Sequence, residues 1–176
     1  MKKLLSIISL FLFPAAAIGA CGDFYETRLK TLQGENFNLC DHKDKPIIFV
    51  NTASKCGFTS QFEDLEKLYS ANKDKLLIVG FPSNDFNQEP GNNDDIQKFC
   101  KLTYAVEFPM MEKSNVIGPN ANEIYKKLSE TTGKAPMWNF YKFVVMPNYE
   151  KIHVFSSMTN PESKAIKKLL APYGIN

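Results

Sequence analysis

Two near-continuous apolar runs, Pro46-Ile47-Ile48-Phe49-Val50 and Leu76 to Phe81, constrain this chain more than any other feature. Both have the length of a strand covered on its two faces rather than that of a buried helix. The first predicts a buried central strand over Pro46 to Ala53, and the second a buried strand stopped by Pro82. Between them, Gln61 to Ser70 carries Phe62, Leu65, Leu68 and Tyr69 on one helical face. A β-α-β unit of this kind needs helices packed against a sheet, which makes the chain α/β.

The remaining elements extend that sheet. Phe24 to Leu32 and Asn36 to Leu39, joined through Gln33-Gly34-Glu35, predict a β-hairpin. Asp94 to Leu102 and Asn120 to Ser129 predict helices, the latter with Ile124, Tyr125 and Leu128 inward. Lys142 to Met146 and Lys151 to Phe155 predict strands about a Pro147-Asn148-Tyr149 turn, and Glu162 to Leu170 a closing helix. The expected architecture is an N-terminal hairpin plus a central mixed sheet flanked by helices, a layout similar to the thioredoxin-like fold. Reactive groups in such sheets lie beyond the C-terminal ends of the parallel strands. Cys56 falls there, and so does Pro82-Ser83-Asn84.

Cys56 is the candidate nucleophile. It follows the first buried strand within NTASKCGFTSQF, and Ser60 with Glu63 forms a capping-box pattern for the next helix. Unpaired backbone N–H groups at such a junction favour thiolate, the reactive form. A cysteine in a small domain is often just a small buried hydrophobe. The polar, glycine-containing surroundings (Ser54, Lys55, Gly57, Thr59) favour the working thiol instead.

Residues 1–20 are expected to lie outside the fold. Lys2 and Lys3 precede an apolar stretch from Leu4 to Phe13, and small residues follow Pro14, the pattern of a secretory signal peptide. Ile18-Gly19-Ala20-Cys21 resembles the lipobox of bacterial lipoproteins, in which the cysteine is lipidated. Cleavage by an ordinary signal peptidase after Ala17 or Ala20 is the alternative. Both fates export the protein, to a periplasm or to a lipid anchor on the bacterial membrane. Residues 21–176 are then one domain.

Removing Lys2 and Lys3 takes the formal charge from +2 to 0, which argues against nucleic acid as a partner. The four cysteines, Cys21, Cys40, Cys56 and Cys100, form no C-x-x-C, and His42 and His153 are far apart, which argues against a metal site. In the expected hairpin Cys40 faces residues near Arg28, an arrangement that argues against a Cys21–Cys40 disulfide. Cys40 is therefore read as a structural thiol.

Four segments, NTASKCG (51–57), GFPSNDFNQEPG (80–91), FPMMEKSNVIGPNANEIYKKL (108–128) and WNFYKFVV (138–145), together resemble the glutathione peroxidase family. The resemblance runs from about Phe24 to Leu170. It implies that Cys56 stands in the place of the peroxidatic cysteine or selenocysteine. Gln88 takes the place of the active-site glutamine, and Trp138 and Asn139 those of the other tetrad members. Cys100 occupies the position of the resolving cysteine in thioredoxin-using members. Ser83 stands where many relatives have another cysteine, so Cys100 is the one resolver. Asp85-Phe86-Asn87-Gln88 is one residue shorter than the usual stretch, which leaves the reach of Gln88 for the structure to settle.

The implied reaction is reduction of hydrogen peroxide and organic or lipid hydroperoxides through a Cys56 sulfenic acid. No cofactor is implied; the reducing co-substrate is a thioredoxin-like dithiol protein or glutathione. Only Glu130 to Met137 separates the preceding helix from Trp138, where tetrameric relatives carry a long insertion, so a monomer with an open site is expected. A peroxide sensor or a thiol–disulfide oxidoreductase on the same fold are the alternatives. The latter normally needs C-x-x-C or C-x-x-x-C, and Gly57-Phe58-Thr59-Ser60 supplies neither.

Overall fold

A computed structural model describes residues 21–175; the expected signal peptide lies outside them. The elements in chain order are β1 (Leu29–Lys30), β2 (Asn36–Phe37), β3 (Ile47–Thr52), α1 (Gln61–Ser70), β4 (Leu77–Pro82), α2 (Asn93–Tyr104), α3 (Glu123–Thr132), β5 (Lys142–Val145), β6 (Ile152–Phe155) and α4 (Lys164–Leu170). β1 and β2 form a short antiparallel ribbon. The main sheet has the order β4-β3-β5-β6, with β3 parallel to β4 and antiparallel to β5, and β5 antiparallel to β6. This is the thioredoxin-like α/β arrangement expected from the sequence.

Every residue of β3 and β4 is buried because both faces of the sheet are covered. Strand alternation divides the apolar side chains into two cores. Ile48, Val50, Ile78 and Val144 face α1, α2 and α4, meeting Phe62, Leu65, Ile96, Cys100, Ile166 and Leu170. Ile47, Phe49, Val79, Phe81, Phe143 and Val145 face α3 and the N-terminal segment, where Ile124, Tyr125 and Leu128 pack.

Gly80 lets β4 accept a further segment on its outer edge. Its N–H donates to Pro109 O and its carbonyl accepts from Met111 N–H, 2.9 and 2.8 Å. A Cβ at this position would stand 2.2 Å from Met110 Sδ.

One expectation is overturned. Cys21 and Cys40 are joined in a disulfide, with Cα atoms 5.8 Å apart. The hairpin does not run on to Leu39 as expected. Asn38 Oδ1 accepts from Cys40 N–H and starts a 3₁₀ turn over Leu39–His42, which takes Cys40 off the hairpin axis. From the other side, Gly22 at φ +96 opens a turn in which Tyr25 and Glu26 donate back to Gly22 O. The two folded-back segments bring the cysteines together, with Cys40 Sγ 3.4 Å from Tyr25 O.

Candidate functional site

Cys56 sits half-buried in the turn between β3 and α1. The turn is locked by Thr59, whose Oγ1 accepts from Cys56 N–H at 3.0 Å and lies within bonding distance of the Ala53 and Cys56 carbonyls. The Phe58 N–H donates to Cys56 Sγ at 3.4 Å. The expected capping box is not formed: Ser60 has helical dihedrals and makes no side-chain cap bond. Successive turns, Gln61 N–H to Phe58 O, Phe62 N–H to Thr59 O and Glu63 N–H to Ser60 O, lead into α1 instead. Cys56 therefore stands a turn ahead of the helix, and its donor belongs to the turn.

Gln88 reaches the site despite the shorter loop. Asn87 takes φ +57, and its N–H closes a tight turn onto Asn84 O at 2.9 Å. Asn tolerates this left-handed conformation better than most residues. The Gln88 carbonyl accepts from Lys55 N–H at 3.0 Å, directly beside Cys56. The next residue, Glu89, is buried and accepts from both Ser54 N–H (2.8 Å) and Ser54 Oγ (2.7 Å). Burial pushes the Glu89 carboxyl up, and the Ser54 donors oppose that shift. Two adjacent residues thus fasten the QEP loop to the Cys56 loop.

Trp138 and Asn139 precede β5. Asn51, near the end of β3, holds their loop: its Nδ2 donates to Trp138 O (3.0 Å), and its Oδ1 and carbonyl accept from Tyr141 and Phe140 N–H. Asn139 is fully buried, and its Nδ2 donates to Gln88 Oε1 at 2.9 Å. The Asn139 amide is therefore used to orient Gln88, which leaves the Gln88 amide hydrogens to point elsewhere. Asn139 Oδ1 is buried without a protein partner. Trp138 remains 41% exposed, its ring tilted against Phe86 at 5.4 Å. The three segments that carry Cys56, Gln88 and Trp138-Asn139 meet, linked through Lys55–Gln88–Asn139.

Cys100 is placed differently. It lies in the last half of α2, buried in the core that also contacts Cys56, and both thiols are free. Burial, with a smaller effect of the Glu89 charge, pushes its thiol up to about 12. A cavity of about 250 Å³ lined by Ser54, Lys55, Glu89, Ile96 and Phe99 lies between the Cys56 loop and α2.

Sequence reasoning passed over Asn51, Gln61, Glu89, Lys142 and Ser157, which build the support under these loops. The available signal was polarity out of place: an asparagine inside Ile47–Thr52 and a lysine opening Lys142–Val145.

A thioredoxin-like fold with a half-buried thiol after its central strand is an arrangement suited to thiol redox chemistry. Residues 24–129 match the family model for glutathione peroxidase. The chain is 44% identical over 157 residues to glutathione peroxidase-like peroxiredoxin 2 of Saccharomyces cerevisiae, covering 84% of this chain and 97% of that protein. It is likewise 44% identical over 156 residues to the glutathione peroxidase of Lactococcus lactis, covering 84% and 99%. The apo crystal structure of Trgpx superposes with a TM-score of 0.66 at 31% identity, over 86% of this chain and 95% of that one. The chain belongs to the glutathione peroxidase family. It is an oxidoreductase of that type, acting on peroxides.

Proposed function

We propose that Cys56 is the peroxidatic thiol, with Gln88 and Trp138 as its donors, Asn139 as the residue that orients Gln88, and Cys100 as its resolver. The observation that carries this reading is the linkage Lys55–Gln88–Asn139, which ties three separate loops around one thiol. Cys56 thiolate attacks the terminal oxygen of the hydroperoxide, the O–O bond breaks, and the departing alkoxide takes a proton to become alcohol or water. Cys56 is left as sulfenic acid. The Trp138 indole N–H and the Gln88 amide N–H groups steady the charge as it moves, a role worth about 2.7–4 kcal/mol for a well-placed donor.

Cys100 then attacks the Cys56 sulfur, releasing water and forming a disulfide, which a thioredoxin-like dithiol reduces by exchange. Glutathione is the alternative reductant. Exposed Met137 and Trp138, with Met158 next to a residue bonded to Asn139, give the site an apolar rim that favours organic and lipid hydroperoxides beside hydrogen peroxide. The short loop before Trp138 supports a monomer. The role that follows is defence against oxidative stress.

The protein is exported, with residues 1–20 as signal peptide and 21–176 as the mature domain. Its Cys21–Cys40 disulfide leaves no thiol on Cys21 to acylate, which favours a periplasmic form over a lipid-anchored one. An exported thioredoxin-like carrier is then the fitting donor.

Peroxide consumption by the purified mature domain, with thioredoxin or glutathione as donor, tests this reading. Cys56→Ser should bring the rate to background. Cys100→Ser should lose the thioredoxin-linked turnover while one equivalent of peroxide still oxidises Cys56. Full activity in Cys56→Ser would refute the mechanism.

A further inference from the structure

Lys142 is the one lysine in the described residues that is entirely buried, and nothing in the peroxide chemistry above uses it. It opens β5, paired with Val50 on β3 and Phe155 on β6. Its side chain lies on the α1 side, as alternation with Val144 requires. Nζ donates to two acceptors, Gln61 Oε1 and Phe140 O, each at 2.7 Å. Gln61 Nε2 donates in turn to Ser157 O at 2.6 Å, and Ser157 Oγ donates to Asn139 O at 2.6 Å. Every member of this chain is buried.

The network ends on the backbone of the donor loop. Lys142 takes the Phe140 carbonyl and Ser157 the Asn139 carbonyl, while Asn51 takes that of Trp138. Phe140 has φ +61, in the left-handed region where a bulky residue is strained. Such a conformation persists only when its surroundings over-determine it. Here the strained residue directly follows Trp138 and Asn139, so whatever holds Phe140 also sets where those two side chains point.

We propose that Lys142 is a positioning residue for peroxide reduction: through Phe140 O directly, and through Gln61 and Ser157 to Asn139 O, it holds the strained loop that presents Trp138 to the Cys56 site and Asn139 to Gln88. The inference rests on the reading of Trp138 and Gln88 as the donors to Cys56. Its protonation agrees with the geometry. Burial pulls the Lys142 amine down to about 7, and a neutral amine has two N–H donors for the two acceptors present. An apolar residue of the same reach would pack well but would leave the Phe140 carbonyl and the Gln61 amide oxygen unpaired.

Lys142→Met and Ser157→Ala test this, the second because it releases the Asn139 carbonyl without touching the buried amine. Trp138 is the single tryptophan of the chain, so its emission and its quenching by acrylamide report the loop directly. Reduced protein is mixed with one equivalent of hydrogen peroxide, and the rate of Cys56 oxidation is followed by rapid quench with a thiol label. Both variants should slow that step, Lys142→Met by about ten- to a hundredfold through misplacement of the donors. Both should also make Trp138 more quenchable. A merely structural lysine would leave the oxidation rate and Trp138 emission unchanged, whatever its loss did to the melting temperature. If both variants react at the wild-type rate with unaltered emission, the proposal is overturned. The emission readout needs no peroxide chemistry, so it separates failure here from failure of the Cys56 mechanism, which Cys56→Ser decides.

Discussion

Cys56 and Cys100 contact the same core from one side of the sheet, yet their surroundings are opposite. Cys56 sits half-exposed in a turn built from backbone donors, with the Phe58 N–H on its sulfur and the QEP loop fastened beside it. Cys100 is on a regular helix, buried among apolar side chains, with its thiol pushed up to about 12. One sulfur is held ready where it stands. The other is buried and keeps its proton. On the mechanism proposed above, burial would separate the step that destroys peroxide from the step that resets the thiol, and would keep Cys100 from being oxidised in place of Cys56.

The sharpest way to break this contrast is on the Cys56 side. Trp138→Phe keeps an aromatic ring against Phe86 but deletes the indole N–H. Oxidation of Cys56 by peroxide should slow by about a hundredfold, the usual consequence of losing one preorganised donor. Because Trp138 is 41% exposed, stability should change by no more than about 0.5 kcal/mol. Transfer from sulfenic acid to the Cys56–Cys100 disulfide should keep its rate. Stopped-flow mixing followed by mass spectrometry of labelled thiols resolves both steps. A slowing shared equally by both would mean that the two sulfurs depend on one set of donors.

The same contrast explains which parts were legible in the sequence. The helix expected over Gln61 to Ser70 is α1 itself, and the second apolar run is β4 to within a residue, because amphipathic spacing and buried runs are local signals. The hairpin was over-extended. Lys30 O and Leu32 N–H bond to Glu112 and Met110 from the segment leading to α3, so tertiary partners take the groups a longer ribbon would use. Cys40 was misplaced for a related reason: Asn38 side-chain bonds to Cys40 N–H and Asp41 turn the chain where a strand was assumed. Gln88, Trp138 and Asn139 were found through motif resemblance alone. Their support by Lys142 and Ser157 is itself held through Gln61, in pairings 81 and 96 residues apart that no local pattern encodes.

Protonation offers a second, smaller way to sharpen the comparison. Lys142, ordinarily near 10.5, is pulled down to about 7 in the fold by burial. Between these values the unfolded chain binds a proton that the native state does not, so stability rises with pH through that window. Cys100 has the opposite sign. Its native thiol keeps its proton to about 12 while the unfolded thiol releases it near 9, so stability falls as pH rises above 9. From pH 7 to 9 only the lysine acts of the two, and the expected gain is about 2 kcal/mol. Urea unfolding under argon at half-unit steps checks this. Lys142→Met should flatten the rise below pH 9, and Cys100→Ser should let the rise continue to about pH 10.5, whereas in the wild type the two contributions cancel from pH 9 upward. A rise that survives in Lys142→Met would mean the buried amine is charged in the native state.

The smallest expected effect bears most directly on how Cys100 is released. α2 ends at Ala105, which takes the left-handed conformation at φ +50, and the Cys100 carbonyl accepts from both Ala105 and Val106 N–H. A side chain in that conformation costs about 1–2 kcal/mol, a strain that glycine does not carry. The turn that contains Cys100 is therefore closed by a residue that weakens it. Ala105→Gly should stabilise the domain by about 0.5–1 kcal/mol, since glycine also gives more freedom to the unfolded chain. If Cys100 meets Cys56 by unwinding this last turn, the firmer cap should slow disulfide formation by about two- to fivefold while leaving peroxide attack untouched. Decay of a trapped Cys56 sulfenic acid, timed by quench and mass spectrometry, measures the effect. A higher melting temperature with an unchanged decay would show that the last turn stays wound as the disulfide forms, and that movement of the Cys56 loop closes the gap instead.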